Sequence, residues 1–586
     1  MKTPNYAYRV CLGWALLLLS CQERSSFAQL TEAISINQVG HYPSSKKVAI
    51  VMAATESEGF KVFASPSGEE VLEGSLVKVA QDQVPQREVW KADFTRLQQP
   101  GLYHILVEGV GRSYPVVIRE GVYDEVLDAV LKGFYFQRAS TALKSDQAGK
   151  WARAAGHKDD EVYVHASAVS DTRTEETVLS ASKGWYDAGD YNKYIVNSGI
   201  SMGTLLSLYE DFPGYFDQKK WNIPESQNTL PDILDEILWN LDWMEQMQDP
   251  LDGGVYHKLT TAEFEGMVTP VNATAKRYVV SKSTAATLDF AAVMAQAARV
   301  MKNVEGLEGR ADKWQDQAEA AWKWATEHPD HIYDQQKLND NYDPDINTGA
   351  YGDGNLQDEW IWAACELYLN TSDAAYLEKI PVDAVPSFSV PSWSNVAWLG
   401  YYSLLRKADE LETLQPLIAS LRSTLKATGE DWLDQMNTTS FQSVMGKDPK
   451  DFVWGSNAVA ANQGIALIQL YFFDKDPAYL EAAMANLDYL LGRNATGYCF
   501  VTGFGAKSPM YPHHRISEAD DVKEPVPGLL VGGPNPGQQD GCDYPSTVFD
   551  ESYVDHLCSY ASNEITINWN APMAYLLGAV VAMEQP

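Results

Sequence analysis

The chain has 586 residues, enough for one large domain and a small one. Hydrophobic residues make up 45% of it and charged residues 21%, so the composition is that of a globular protein with ample core material. A formal net charge of -34 excludes a nucleic-acid reader, which needs a basic footprint, and argues against docking on anionic lipid; it fits a neutral polymer as partner.

Residues 1–30 read as an export leader. Lys2 and Arg9 precede an apolar run, Leu12 to Leu19, that is too short to span a membrane. Leu18-Leu19-Ser20-Cys21 has the form of a lipobox, which places a lipid anchor on Cys21; the rival cut follows Ser26-Phe27-Ala28. Both predict an exported protein, either an outer-membrane lipoprotein or a periplasmic or secreted one. From Ile34 to Ile118 short runs such as Lys47-Val48-Ala49-Ile50-Val51 and Tyr103-His104-Ile105-Leu106-Val107 are punctuated by Ser-Pro-Ser-Gly and Gln-Pro-Gly turns. The spacing predicts a β-sandwich over residues 31–119.

Near Tyr123 the period changes from two to 3.6, and residues 120–586 read as one helical domain. Leu234, Ile237, Leu238, Leu241 and Met244 share one helical face, as do Leu480, Ala483, Leu487 and Leu490, with Asp476 as N-cap and Gly492 as stop. Further helices are predicted around 197–210, 284–302, 311–327, 355–369, 392–407, 411–428, 456–473 and 570–583. Helical pairs around one core, with the site on loops at one end, are the expected architecture. Of the cysteines outside the leader, Cys499, Cys542 and Cys558 cluster late and allow one disulfide in an oxidising compartment.

Three loops carry the chemistry. Gly184 to Tyr194 sets Asp187 and Asp190 on an Ala-Gly turn among aromatic rings, which suits a sugar-binding surface, an Asx turn or half of a calcium loop. Cys499 to Arg515 delivers His513, His514 and Arg515 together, donors for sugar hydroxyls or, less readily from adjacent positions, metal ligands. Tyr553 to Pro572 carries Glu564 beside Tyr560 and Trp569. Burial against such rings would raise its pKa as a general acid needs, whereas the plain alternative is a glutamate at a helix start.

Taken together, these stretches resemble glycoside hydrolase family 9, the inverting cellulase family. The histidine signature fits from Val501 through Arg515, with Cys499 where a small hydroxyl or Val is usual. The carboxylate signature fits from Tyr553 through Ala571, and Asp187-Ala188-Gly189-Asp190 is the third hallmark. Ile36-Asn37-Gln38-Val39-Gly40 resembles the immunoglobulin-like module that precedes many of these domains. The resemblance implies a mainly α fold, an (α/α)6 barrel behind an all-β sandwich, and an endo-β-1,4-glucanase acting on a β-linked glucan. It implies Glu564 as general acid, Asp190 as general base and Asp187 as the group that helps hold the attacking water. Asp555 and His513 are expected in the catalytic machinery, and Arg515, His257, Trp185 and Tyr560 in substrate binding. No cofactor or catalytic metal is required. The family's zinc site is expected to be absent, because Ala139 and Gly156 stand where cysteines would be and leave only His157 and His165. Structural calcium is expected from acidic loops such as 341–353, and the chain is expected to be a monomer. An exo-acting hydrolase of short oligosaccharides, a xyloglucanase or mixed-linkage glucanase, and a non-catalytic glycan-capturing lipoprotein share these motifs and stay open. Retention of all three carboxylates counts against the last.

Overall fold

The computed structural model describes residues 28–584, apart from 54, 80–83, 85, 86, 383 and 384; residues 1–27 of the predicted leader, Cys21 among them, lie outside the described residues. Eight strands come first: β1 (Ile34–Ser35), β2 (Val48–Val51), β3 (Gly59–Ala64), β4 (Glu70–Lys78), β5 (Trp90–Asp93), β6 (Gly101–Val107), β7 (Gly111–Arg112) and β8 (Val116–Ile118). They pair antiparallel in the order β1-β2-β5-β4-β3-β6-β7, with β8 also on β6. Alternate side chains such as Phe60 and Val62 on β3, and Ile105 and Val107 on β6, fill the space between the layers. The continuous apolar run of β2 has a separate cause. Ala49 and Val51 face the sandwich core, while Val48 and Ile50 pack on Phe441 of the helical domain. Polar contacts fix the same junction: Asn37 donates to Asp488 (2.7 Å), and the Gln38 side-chain carbonyl oxygen accepts from the Ala506 and Lys507 amides (both 2.9 Å). Gln38 thereby holds the root of the histidine loop.

The helical domain alternates outer and inner helices. Outer helices are α1 (Asp124–Gln137), α3 (Asp232–Met247), α5 (Glu308–Glu327), α8 (Gln415–Met436) and α10 (Pro477–Leu490); α5 and α8 keep an exposed stripe, and α1, α3 and α10 a mostly half-buried one. Inner helices α2 (Ile195–Asp211), α4 (Thr284–Met301), α6 (Gln357–Thr371), α7 (Ala397–Arg406), α9 (Ser456–Asp474) and α11 (Ile567–Glu584) are buried on almost every side. A short 3-10 segment, Ala374–Lys379, stands in the outer position between α6 and α7. This is the alternation of an (α/α)6 barrel. Inner helices are apolar all round because both their faces are covered; each buried Leu or Val there contributes about 1.5–3 kcal/mol. Helix α8 runs past Gly429, where the sequence pattern predicted a stop near 428. A Cβ on Gly429 would lie 2.3 Å from Leu470, so the glycine permits close packing on α9 and does not end the helix.

The sequence pattern did not foresee a second sheet: β9 (Val162–Val164), β10 (Val178–Leu179), β11 (Lys193–Tyr194), β12 (Lys258–Thr261) and β13 (Arg277–Val279), in the order β10-β9-β13-β12-β11. Its strands are two to four residues long, too short to show a period. β11 anchors the end of the Asp-Ala-Gly-Asp turn on β12. No described helix is long and apolar enough to cross a membrane.

Candidate active site

The loops that enter the N-terminal ends of inner helices meet around a cleft of about 870 Å3. Residues 187–194 precede α2, 348–351 precede α6, 391–393 precede α7, 453–455 precede α9 and 560–566 precede α11. Asp187, Asp190 and Glu564 all line it, with His513 and Arg515.

The turn that carries the two aspartates is closed by the Asp187 amide donating to Asn192 O (3.0 Å). It is backed by Gln137, whose amide nitrogen donates to Ala188 O (2.9 Å) and whose carbonyl oxygen pairs with His514 Nε2 (3.0 Å). Gly189 is required by close approach: a Cβ there would lie 2.1 Å from His513 O and 3.2 Å from Glu564 Oε1. Arg515 clamps the same point, donating from its amide (3.1 Å) and Nη1 (2.9 Å) to Gly189 O. Glu564 is held between two loops: it bridges His513 in parallel, and its carbonyl accepts from the Gly532 amide (2.9 Å).

The three carboxylates have different surroundings. Asp187 accepts from Asn197 Nδ2 (2.9 Å) and from the Tyr351 hydroxyl (3.0 Å); burial, then the charge of Asp190, raises its pKa well above the usual range. Asp190 Oδ2 accepts from Asn192 (2.6 Å) and the Tyr194 hydroxyl (3.1 Å), while Oδ1 has no partner among the described residues. Glu564 is raised well above an ordinary glutamate by burial and then by Asp190 and Asp187, against the opposing pull of Arg515. His513 Nδ1 pairs with Leu557 O (2.7 Å), which fixes the proton there and leaves Nε2 as an acceptor; burial lowers its pKa.

Other predicted residues fall elsewhere. Asp555 is outside the cleft and accepts from the amides of Met510 (2.8 Å) and Tyr511 (2.9 Å), shaping the loop that presents His513. Two of the expected sugar contacts are corrected by the structure. Trp185 is fully buried, donates to Glu236 (2.8 Å) and packs on Phe134, because the turn folds its rings inward against α1 and α3. His257 is also fully buried, pairs with Ser283 and Ala350 O (both 2.9 Å) and stacks on Tyr333, so it supports the 350 loop from behind. Tyr560 does line the cleft, 5.5 Å from Trp454. The remaining cleft rings, Tyr194, Phe264, Tyr351, Trp393, Trp454 and Trp569, come from separate stretches that sequence reasoning did not single out as one surface. The position of Tyr351 and Trp454 just before predicted inner helices could have marked those two.

Among the described residues no group of three or more His, Cys, Asp or Glu side chains converges as a ligand set. His157 pairs with the Tyr186 hydroxyl (2.8 Å), and His165 with Ser167 (2.8 Å) and Pro344 O (2.9 Å). A buried acidic group lies behind the cleft, made of Asp289, Asp353, Asp358 and Glu359. Both oxygens of Asp289, both of Glu359 and one of Asp353 have no partner among the described residues. Burial and mutual repulsion raise Asp289 well above the usual range and push Glu359 up to about 11.

Residues 123–577 match the family model for glycosyl hydrolase family 9, and residues 29–112 that for the cellulase N-terminal ig-like domain. The chain is 45% identical over 570 residues to the xyloglucan-specific endo-beta-1,4-glucanase BoGH9A of Bacteroides ovatus, covering 97% of this chain and 96% of that protein. It is 31% identical to endoglucanase D of Acetivibrio thermocellus, covering 95% and 85% of the two chains. Among solved structures it is similar to a Bacteroides ovatus GH9 protein, with a TM-score of 0.90 at 44% identity over 95% of this chain and 100% of that one. A thermostable endoglucanase from Alicyclobacillus acidocaldarius follows the same path, with a TM-score of 0.83 at 32% identity over 94% and 100%.

Proposed function

The chain belongs to glycosyl hydrolase family 9, and on that premise we propose that it cleaves β-1,4-linked glucan chains with inversion, using Glu564 as general acid and Asp190 as general base. The observation that carries the assignment of roles is the contrast between the two carboxylates. Glu564 is held protonated by burial and by its two acidic neighbours, as a donor to the glycosidic oxygen must be. Asp190 has one oxygen fixed by Asn192 and Tyr194, and the other, buried, has no partner among the described residues, which leaves its lone pair for a proton of the attacking water. An inverting site needs the carboxyls about 6.5–9.5 Å apart so that water enters from the face opposite the leaving group. As the bond to the leaving oxygen breaks, Glu564 gives up its proton and Asp190 takes one from the attacking water. Solvent exchange then restores both. Asp187, oriented by Asn197 and Tyr351, helps hold that water, and His513 and Arg515 bind hydroxyls beside the cleaved bond.

The open, ring-lined cleft has room for more than one sugar and supports internal attack on a polymer. A xyloglucan reading shares the same backbone chemistry and is suggested by the name of the relative at 45% identity, without displacing the β-1,4-glucan reading. Activity on carboxymethyl-cellulose, mixed-linkage glucan, xyloglucan and chito-oligosaccharides separates the readings. A rapid viscosity fall with few new reducing ends on a β-1,4-glucan is expected; release of terminal monosaccharide alone, from chito-oligosaccharides alone, would refute it. Calcium is proposed to sit at the acidic group of Asp289, Asp353, Asp358 and Glu359, whose unpartnered oxygens suit a hard cation once the side chains close on it. There it would supply charge balance behind the cleft and no catalytic step. Export is proposed too, supported by the Cys542–Cys558 disulfide, a bond of oxidising compartments.

A further inference from the structure

The cleft wall beside Glu564 comes from residues 535–566, a stretch with no helix and no strand beyond single bridges. Side chains hold it in shape. Asp540 Oδ2 accepts from the Tyr544 hydroxyl (2.8 Å), the Ser559 hydroxyl (2.8 Å) and the Ala561 amide (2.9 Å). The Cys542–Cys558 disulfide closes a loop within the same stretch. Cys558 lies between two residues that the cleft uses. Leu557 O accepts a hydrogen bond from His513 Nδ1 (2.7 Å), and the Tyr560 ring stands 5.5 Å from Trp454 and 6.0 Å from His513.

We propose that the Cys542–Cys558 disulfide is a positioning device for glucan binding on the leaving-group side, fixing the carbonyl that sets the His513 tautomer and the ring of Tyr560. The inference rests on the hydrolytic reading above. The acid and base keep holds outside the cross-linked residues 542–558: the Glu564 carbonyl accepts from the Gly532 amide, and Asp190 accepts from Asn192 and Tyr194. Loss of the bond therefore weakens binding and spares the chemical step. The pair is also accessible: Cys558 is exposed and Cys542 half-buried, whereas Cys365 and Cys499 are buried. Reduction by a dithiol adds two electrons and two protons. The S–S bond breaks to two thiols while the dithiol closes to its own disulfide.

The test uses the full chain on a soluble β-1,4-glucan, oxidised, after dithiothreitol, and after reoxidation. Reduction should raise KM about tenfold, the loss of one well-packed ring and its polar neighbour, with kcat within about twofold. Reoxidation should reverse the change. The Cys542→Ser/Cys558→Ser variant should match the reduced enzyme and ignore dithiothreitol. Tyr560→Ala should raise KM by itself and leave reduction with much less to do, a coupling that a purely structural staple would not show. Unchanged KM after thiol titration confirms cleavage of the bond would overturn the proposal. So would a fall in kcat that tracks loss of folded protein with KM constant, or full additivity of reduction with Tyr560→Ala. Failure of the oxidised wild type to hydrolyse any glucan would instead refute the hydrolytic reading.

Discussion

Glu564→Gln keeps the size of the side chain and removes both its proton and its titration. In the native chain burial, Asp190 and Asp187 hold Glu564 protonated well above 4.5, the ordinary glutamate value to which unfolding returns it. The folded pKa is the higher one, so between the two values the native state binds the extra proton. Wild-type stability from this group is fully present below 4.5 and falls as pH rises towards the native pKa, by up to about 1.4 kcal/mol per pH unit. Glutamine has no such dependence. The unfolding free energy of Glu564→Gln minus that of wild type should therefore climb at up to that slope from pH 4.5 and level off where native Glu564 ionises. At neutral pH the inactive variant should be the more stable protein. Urea unfolding followed by tryptophan fluorescence at intervals from about pH 4 to 8 measures the difference. Reducing-sugar release from an unactivated glucan should drop by about 10²–10⁴ in the same variant. Parallel stability curves across this range, or near-normal hydrolysis, would refute the account of Glu564 as a buried acid.

Two other perturbations probe the frame around it. Gly189→Ala sets a Cβ 2.1 Å from His513 O and 3.2 Å from Glu564 Oε1. It should cost about 1–3 kcal/mol of stability and lower kcat about a hundredfold by separating the carboxylates, and a wild-type kcat would contradict the close approach. Chelation should lower the melting temperature and added calcium restore it, by an amount equal to about 2.7 kcal/mol at a hundred times its Kd; Asp289→Asn should blunt both responses. A melting curve indifferent to chelator and to calcium would remove the ion from the acidic group.

Much of this arrangement is legible in the sequence, for physical reasons that also set its limits. Inner helices α2, α4 and α9 appear because a largely apolar stretch of 17 or more residues is too long for a buried strand. The motif loops announce themselves by residue type: Asp187, Asp190, His513 and Glu564 are costly to bury unless something needs them there. Direction within a loop is not encoded so locally. Trp185 and Tyr194 both flank the same turn, yet one is buried under Glu236 and the other opens on the cleft, because α3 and β12 decide which side is covered. His257 looks like a sugar ligand in the sequence for the same reason: its two nitrogens are satisfied by Ser283 and Ala350 O, partners 26 and 93 residues away. The rings that do face the cleft, Trp393 and Trp454 among them, are brought together only by closure of the barrel. The same dependence on tertiary contact shows at a helix end, where α8, predicted to about 428, continues through Gly429 as it packs on Leu470.

The stereochemistry of the first product tests the central claim most directly. Proton NMR of a β-1,4-glucan digest, read within the first turnovers and before mutarotation, should show the α anomer growing first, since water activated by Asp190 attacks from the face opposite the oxygen protonated by Glu564. A β anomer appearing first would mean attack by a carboxylate and a covalent intermediate, and would contradict Asp190 as the base and Glu564 as the acid of an inverting site.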